Sequence, residues 1–228
     1  PGWKAMVAGK GRPGEWKVLL DDVPPALAPI SPNAPKLTKQ AVIAQTSNDP
    51  TDERFPILTF TGDRYGDFTY TVRFKVVGGA VEQIAGIVFR AQDEKNFYVV
   101  RASALGNNVK FYKFVDGVRQ PAVGPNVEVP RDVWHTLSVE TSGNRFRVRF
   151  NNKDVIPDIT DNSFPAGRIG FFTKSDSQVY FVDPHIVFKP IETVAAALVR
   201  TTMERNPRIL NLRIYGRTEE NSTLRVLA

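Results

Sequence analysis

The sequence predicts an all-β fold, a concanavalin A-like jelly-roll sandwich of two antiparallel sheets, and three observations carry that prediction. Apolar and polar residues alternate along one short run after another between Asp67 and Phe188, which is the two-residue period of strands with one dry and one wet face. Turn-forming residues end the runs: Gly78-Gly79, Asp116-Gly117, Ser142-Gly143-Asn144, Asn151-Asn152 and Pro165-Ala166-Gly167 all sit where a chain must reverse. The 228 residues are 42% hydrophobic and include 15 phenylalanines, enough to fill a core between two sheets.

Taken in order, the first 60 residues or so are loop-rich. Trp16-Lys17-Val18-Leu19-Leu20 and Gln40-Ala41-Val42-Ile43-Ala44-Gln45 read as strands, separated by Val23-Pro24-Pro25, Ala28-Pro29 and Ser31-Pro32-Asn33-Ala34-Pro35. Prolines at that density belong to an extended loop or a sheet edge, where no ladder donor is missed. The clearest strand follows: Phe68, Tyr70, Val72, Phe74 and Val76 fall on one face, with threonine and basic residues on the other. Gly86-Ile87-Val88-Phe89 is an apolar strand that ends in Arg90, and Tyr98-Val99-Val100-Arg101-Ala102 is another with an arginine inside it. Residues 109–115, 136–140 and 145–150 alternate again. The last of these sets Arg145, Arg147 and Arg149 opposite Phe146, Val148 and Phe150, as expected of a solvated outer face.

The pattern changes at Ile191. Ile191, Val194, Leu198, Val199 and Met203 recur at helical spacing and Asn206-Pro207 closes the run, after which residues 209–215 and 223–227 alternate as strands. The expected division is therefore a sandwich over residues 1–190 and a C-terminal helix with short strands over 191–228. That tail is either an ornament or the start of a second domain, its Gly216-Arg217-Thr218-Glu219-Glu220 turn being similar to the entry to an extracytoplasmic sensor domain. An apolar edge strand invites pairing, so the tail is expected to be covered by its own chain, by further sequence, or by self-association through the C-terminal strands.

Several chemistries are excluded or disfavoured by composition. The chain contains no cysteine, which removes disulfides, thiolate metal sites and cysteine nucleophiles. Its only histidines are His135 and His185, too few for a multi-histidine centre. No run of about 18 apolar residues is present, so no helical membrane span is expected. A formal net charge of +6 is spread along strands among acidic residues, without a basic run or a nucleic-acid motif, and no nucleic-acid partner is expected. The first residue is proline, as in a processed export product or a fragment.

A set of segments carries a resemblance. Gly86-Ile87-Val88-Phe89-Arg90, residues 96–102, residues 107–112, Trp134-His135-Thr136-Leu137, residues 150–155, Gly167-Arg168-Ile169-Gly170 and Val179-Tyr180-Phe181-Val182-Asp183 occur in that order. Together with residues 48–56 they resemble the laminin-G-like, concanavalin-like jelly-roll domains grouped as the 3-keto-disaccharide hydrolase family, over roughly residues 16–188. The resemblance implies one sheet bent to leave a polar hollow for a saccharide, and export to the periplasm or the extracellular space. It does not by itself imply hydrolysis: the Glu-x-Asp-x-Glu strand of related glucanases is absent, and the catalytic residues stay unknown.

The carboxylates are scattered. Asp52 and Glu53 are adjacent and so face opposite ways on a strand, pointing to a loop role or a salt link to Arg54 unless a turn redirects them. Asp93-Glu94 reads as a hairpin turn whose Asp satisfies local donors. Asp154, Asp158, Asp161 and Asn162 are the densest oxygen cluster, and they are the candidates for a Ca2+ site, without the regular spacing of a known loop. No metal or other cofactor is otherwise expected.

The ligand-binding candidates are polar and aromatic side chains on the central strands. Arg90 and Arg101 stand in apolar runs, where a guanidinium pairs with a carboxylate or reaches a ligand. Tyr98, Lys110 and Tyr112, if they share a face, supply the stacking surface and donors a sugar needs, and Lys174 and Asp176, with Ser177, form a rim. The expected function is an extracytoplasmic carbohydrate-binding or adhesion module, with a carbohydrate as partner. The alternatives are a glycoside hydrolase acting on 3-keto-disaccharides or glucans, and an interaction module without sugar affinity.

Overall fold

The computed structural model describes residues 2–27, 31, 33–190, 204–205, 213–215 and 225–227. The chain divides into two units, Pro1–Lys189 and Pro190–Ala228. The first unit is built from β1 (Trp3–Gly9), β2 (Trp16–Val23), β3 (Thr38–Gln45), β4 (Arg54–Phe60), β5 (Phe68–Gly78), β6 (Ile84–Ala91) and β7 (Phe97–Ser103). It continues with β8 (Asn108–Val115), β9 (Val118–Arg119), β10 (His135–Ser142), β11 (Arg145–Phe150), β12 (Lys153–Thr160), β13 (Arg168–Thr173) and β14 (Gln178–Phe188). No helix occurs among its described residues.

These strands form two seven-stranded sheets, β1-β4-β13-β6-β7-β8-β9 and β12-β11-β10-β5-β14-β3-β2, joined throughout by antiparallel pairings. The predicted two-sheet sandwich is what the chain forms. Between the sheets lies a core that includes Phe74, Ile87, Phe89, Tyr98, Val100, Phe111, Phe146, Phe171 and Phe181. Its aromatic rings pack closely, with Tyr98 5.0 Å from Phe146 and 5.3 Å from Phe89, centroid to centroid.

β1 and β4 were not expected as strands, and β4 explains why. Residues 54–59 are all buried, because the first sheet is covered on both faces: Leu58 faces the inter-sheet core, while Phe55 and Ile57 join a second apolar cluster with Val88, Phe97, Val99, Phe114 and Phe172. A strand dry on both sides shows no alternation. The same cluster corrects a second expectation. The outer face of this sheet is apolar over much of its area, and its polar hollow is confined to one end of β6, β7 and β8.

Other expectations resolve individually. His135 is buried, its Nε2 2.9 Å from the Pro130 carbonyl oxygen and its Nδ1 3.1 Å from the Asn151 amide. Trp134 points the other way, beneath the cations of Arg73 and Lys75. His185 is exposed on β14. Asp93 accepts the Lys95 amide at 2.8 Å, the expected turn bond. The arginine row of β11 lies on the outer face, where Arg145 pairs with Asp158 at 2.8 Å and Arg149 with Asp154 and Glu140 at 2.9 and 3.1 Å. Asp161 turns instead to Lys113 and Tyr98. The oxygens considered for Ca2+ are thus divided among separate cations, and among the described residues no group of three acidic or histidine side chains is placed to hold a metal.

In the second unit, β15 (Arg213–Tyr215) pairs antiparallel with β16 (Arg225–Leu227). The two strands pair with each other, which leaves the expected self-association through them without support. The expected helix lies outside the described residues apart from Glu204 and Arg205. Among the described residues no helix is long and apolar enough to cross a membrane.

Candidate functional site

The groove at the end of β6, β7 and β8 is built from side chains far apart in sequence. In β7 the alternation sends Tyr98, Val100 and Ala102 into the inter-sheet core and Phe97 and Val99 to the outer face, so Arg101 also stands on the outer face. β8 pairs with it in the register Val99↔Tyr112 and Arg101↔Lys110, which places Tyr112 on that face too. Arg119 follows from β9, lying over the Phe55 ring at 5.7 Å. Lys174, in the turn between β13 and β14, comes from the opposite side, and Glu82 from the loop before β6. Arg101, Tyr112, Arg119, Lys174 and Glu82 line a groove of about 310 Å3, with Ser103 and Asn108 adding polar groups and Val81, Ile84 and Leu105 apolar ones.

Its electrostatics centre on Lys174. The ammonium lies 2.8 Å from Glu82, 3.1 Å from Asp52 and 3.7 Å from Glu53, and Glu53 also meets Arg119 at 3.1 Å. The expected link from Asp52 or Glu53 to Arg54 is therefore not made. Glu53 adopts φ 53°, and this left-handed residue turns the chain so that two adjacent carboxylates reach one cation. Burial opposes the charge on Lys174, but the hydrogen bonds it donates to Glu82 and Asp52 outweigh it and hold the ammonium above the ordinary lysine range. Burial pushes the Tyr112 hydroxyl up to about 12, against the nearby charge of Arg101, so the phenol stays neutral and available as a donor.

The turn that carries Lys174 is itself tightly held. Asp176 accepts the backbone N–H groups of Ala80, Val81 and Glu82 at 2.6, 3.0 and 2.9 Å, fixing the loop that presents Glu82. Gly79 makes that loop possible. It sits at φ 129°, and a Cβ there would lie 1.9 Å from the Glu82 carbonyl oxygen. Burial alone would raise the Asp176 pKa, yet the Val81, Glu82 and Ala80 amides outweigh it and hold the carboxyl below its usual range. The Asp161 carboxyl is depressed in the same sense: burial is opposed by Lys113, Tyr98 and Ser163. A carboxyl depressed in the fold stabilises it above the unfolded value of about 3.9, and that contribution is lost as pH falls through the folded value. Stability is thus expected to fall steeply below about pH 4, with Asp176→Asn lowering the urea midpoint at pH 7 and flattening its acid slope. The check is urea unfolding followed by tryptophan fluorescence from pH 2 to 7.

Of the seven side chains singled out from sequence, the structure brings Arg101, Tyr112 and Lys174 together in the groove. Asp176 lies beneath as the anchor of the 80–82 loop, its oxygens taken by backbone amides. Lys110 gives its ammonium to the Gly124 carbonyl. Arg90 and Tyr98 stand elsewhere, and both are corrections. Tyr98 is fully buried with its ring in the core, its hydroxyl 2.6 Å from Asp161 and 3.1 Å from the Phe164 amide, so it has no face for a sugar. Arg90, at the far end of β6, is 1% exposed and binds the carbonyls of Gly66, Phe164 and Gly143 at 2.7 to 3.1 Å. Glu82 and Arg119 were not anticipated: Glu82 is the single charge between Lys75 and Arg90 and Arg119 stands in a short segment after the Asp116-Gly117 turn, neither with a local pattern, and only the doubled glycine at residues 78–79 marked the loop that carries Glu82.

Comparison with known proteins follows the same outline. A family model described as the 3-keto-alpha-glucoside-1,2-lyase-like domain matches residues 2–187. The levanase of Bacillus subtilis (strain 168) is 29% identical over 105 residues, which is 46% of this chain and 15% of the levanase, so the chain spans only a small part of that relative. The carbohydrate binding module CBM66 from Bacillus subtilis superposes with a TM-score of 0.55 at 19% identity, over 75% of this chain and 94% of the module. A Bacillus subtilis protein of unknown function with a galectin-like fold gives a TM-score of 0.51 at 10% identity, over 81% and 88%. Both share the sandwich fold.

Proposed function

This chain belongs to the 3-keto-alpha-glucoside-1,2-lyase-like family, as its strand motifs foretold, and from that premise we propose that it is an extracytoplasmic carbohydrate-binding module whose ligand occupies the Arg101–Tyr112–Lys174 groove. The observation that carries this reading is the groove's composition: a neutral phenol, an amide, a hydroxyl, a carboxylate and three cations meet beside apolar side chains in about 310 Å3. Sugar hydroxyls need both donors and acceptors, held rigidly against a partly apolar surface. The lysine–carboxylate cluster supplies both, and the 80–82 loop bonded to Asp176 holds it in place. The space is at the small end of the range of about 300–1,000 Å3 for small-molecule sites, which fits one or two sugar units at the end of a chain. The likeness to a stretch of levanase and to the CBM66 sandwich supports a binding module carried beside, or exported with, carbohydrate-active enzymes.

A glycan array followed by calorimetry tests the reading. Binding to a saccharide is expected, with Lys174→Met weakening it at least tenfold, about 1.4 kcal/mol, because it leaves Asp52, Glu53 and Glu82 without their common cation. Retained affinity in that variant, or a flat array, would overturn the proposal.

One observation favours a second reading, cleavage of a glycosidic bond. Three carboxylate oxygens that all lie within 3.7 Å of one ammonium are at most about 7 Å from each other, overlapping the separation of about 5–9.5 Å used by paired catalytic carboxyls. Chromogenic glycosides separate the two readings: turnover abolished by Glu82→Gln, with folding intact, identifies an enzyme.

A further inference from the structure

The cations of the groove are not equivalent. Lys174 is matched by three carboxylates and Arg119 by Glu53. Half-buried Arg101 has no carboxylate within 4.0 Å among the described residues: it donates to two neutral acceptors, Asn108 Oδ1 from Nη1 and the Tyr112 hydroxyl, and feels the charge of Glu82 only at longer range. Directly across the ladder stands another cation, Lys110, whose ammonium is turned onto the Gly124 carbonyl and which likewise meets no carboxylate among the described residues. Like charges at opposed positions of a sheet repel, and a guanidinium partly withdrawn from water without a counter-charge in contact is unfavourable. A strand whose other residues are Phe97, Tyr98, Val99, Val100, Ala102 and the small hydroxyl Ser103 has no packing use for such a charge.

Its surroundings show what would compensate it. A guanidinium offers five N–H donors in a planar fork suited to two parallel bonds with one oxyanion, and Asn108 and the Tyr112 hydroxyl together engage only part of that donor set. Ser103, Asn108 and Tyr112 stand around it with groups that can bond ring hydroxyls, and Leu105, 53% exposed, gives an apolar edge. We infer that the saccharide taken by this groove is an acidic sugar, whose oxyanion, a ring carboxylate or a sulfate ester, is received by Arg101. The inference rests on the sugar-binding reading above and names its ligand class.

Calorimetry with matched pairs tests it: a glucuronosyl against a glucosyl disaccharide, and N-acetylglucosamine 6-sulfate against N-acetylglucosamine, each at low and high salt. The acidic member of at least one pair is expected to bind ten times more tightly or better, with a preference that shrinks as salt rises. The pair that shows it identifies carboxylate or sulfate. In Arg101→Met the preference should fall toward unity. In Arg101→Lys, which keeps the charge and loses the fork, it should be intermediate, and this variant serves if the methionine form does not fold. Equal or tighter binding of the neutral sugars by the native protein overturns the inference while leaving the sugar-binding reading intact. An acidic preference that survives in both variants overturns the role of Arg101. No binding in any arm, together with a flat glycan array, removes both.

Discussion

Replacing Arg54 by methionine is expected to lower the unfolding free energy by about 3–5 kcal/mol, the range for removing one partner from a buried charged network. Arg54 is 0% exposed at the start of β4. Its Nε donates to the Arg12 carbonyl at 2.7 Å, Nη1 to the Ser175 carbonyl at 2.5 Å, and Nη2 to the Pro13 carbonyl and the Ser47 hydroxyl at 3.1 and 3.0 Å. Asp49 lies 3.4 Å from Nε. One side chain therefore ties together the loop after β1, the loop after β3 and the turn that carries Lys174. Methionine fills part of the volume and removes the donors to all of these groups, leaving the buried Ser175 carbonyl where water reaches poorly. Because the Ser175 carbonyl is among them, sugar affinity should fall along with stability. Urea unfolding and calorimetry on the same preparation measure both. A midpoint within experimental error of the native protein would show that the network contributes nothing net. Lysine should not rescue the variant, since one ammonium cannot span acceptors arranged around a planar fork.

Replacing Arg90 by methionine separates stability from binding. The loss of stability is expected to be of the same order, about 3–5 kcal/mol. Arg90 closes the other end of the sandwich, bonding the Gly66, Gly143 and Phe164 carbonyls, lying 3.7 Å from Asp67 and covering the Phe146 ring at 5.1 Å. It does so from a left-handed backbone, φ 47°, a conformation uncommon for a residue other than glycine and held here by those bonds. The groove lies at the opposite end of β6, so saccharide affinity measured well below the unfolding transition should change less than twofold. A tenfold loss of affinity with an unchanged urea midpoint would return Arg90 to the ligand site. Arg101→Met is expected to behave in the reverse manner, which makes the two arginines a matched pair: similar in sequence context, opposite in consequence.

That pair shows how far the sequence could be read. Both arginines interrupt apolar strands, and at each position the local pattern demands either an acceptor network or a ligand. Deciding between them requires knowing what faces the side chain, and for Arg90 those groups come from residues 66, 143 and 164, none of them near it in sequence. Tyr98 and Tyr112 pose the same problem. Their strands were legible, but the register Tyr98↔Lys113 puts the two rings on opposite faces of one sheet, and register is set by pairing between strands rather than within one. β4 was missed because both of its faces are dry.

What the sequence by itself determined is the class of architecture and the family. A two-residue period with one apolar face is a local property, and so is the position of each turn residue; a succession of such strands has few ways to bury its dry faces other than against one another. What only the tertiary structure decided is which polar side chains share a space. The groove collects residues 82, 101, 112, 119 and 174, with the carboxylates of 52 and 53 brought onto Lys174, and this arrangement exists because Glu53 turns at positive φ, Gly79 lets the 80–82 loop close onto Asp176, and β7 and β8 pair in one particular register. Alternation tells a side chain which face it takes; only the packed chain determines what it meets there.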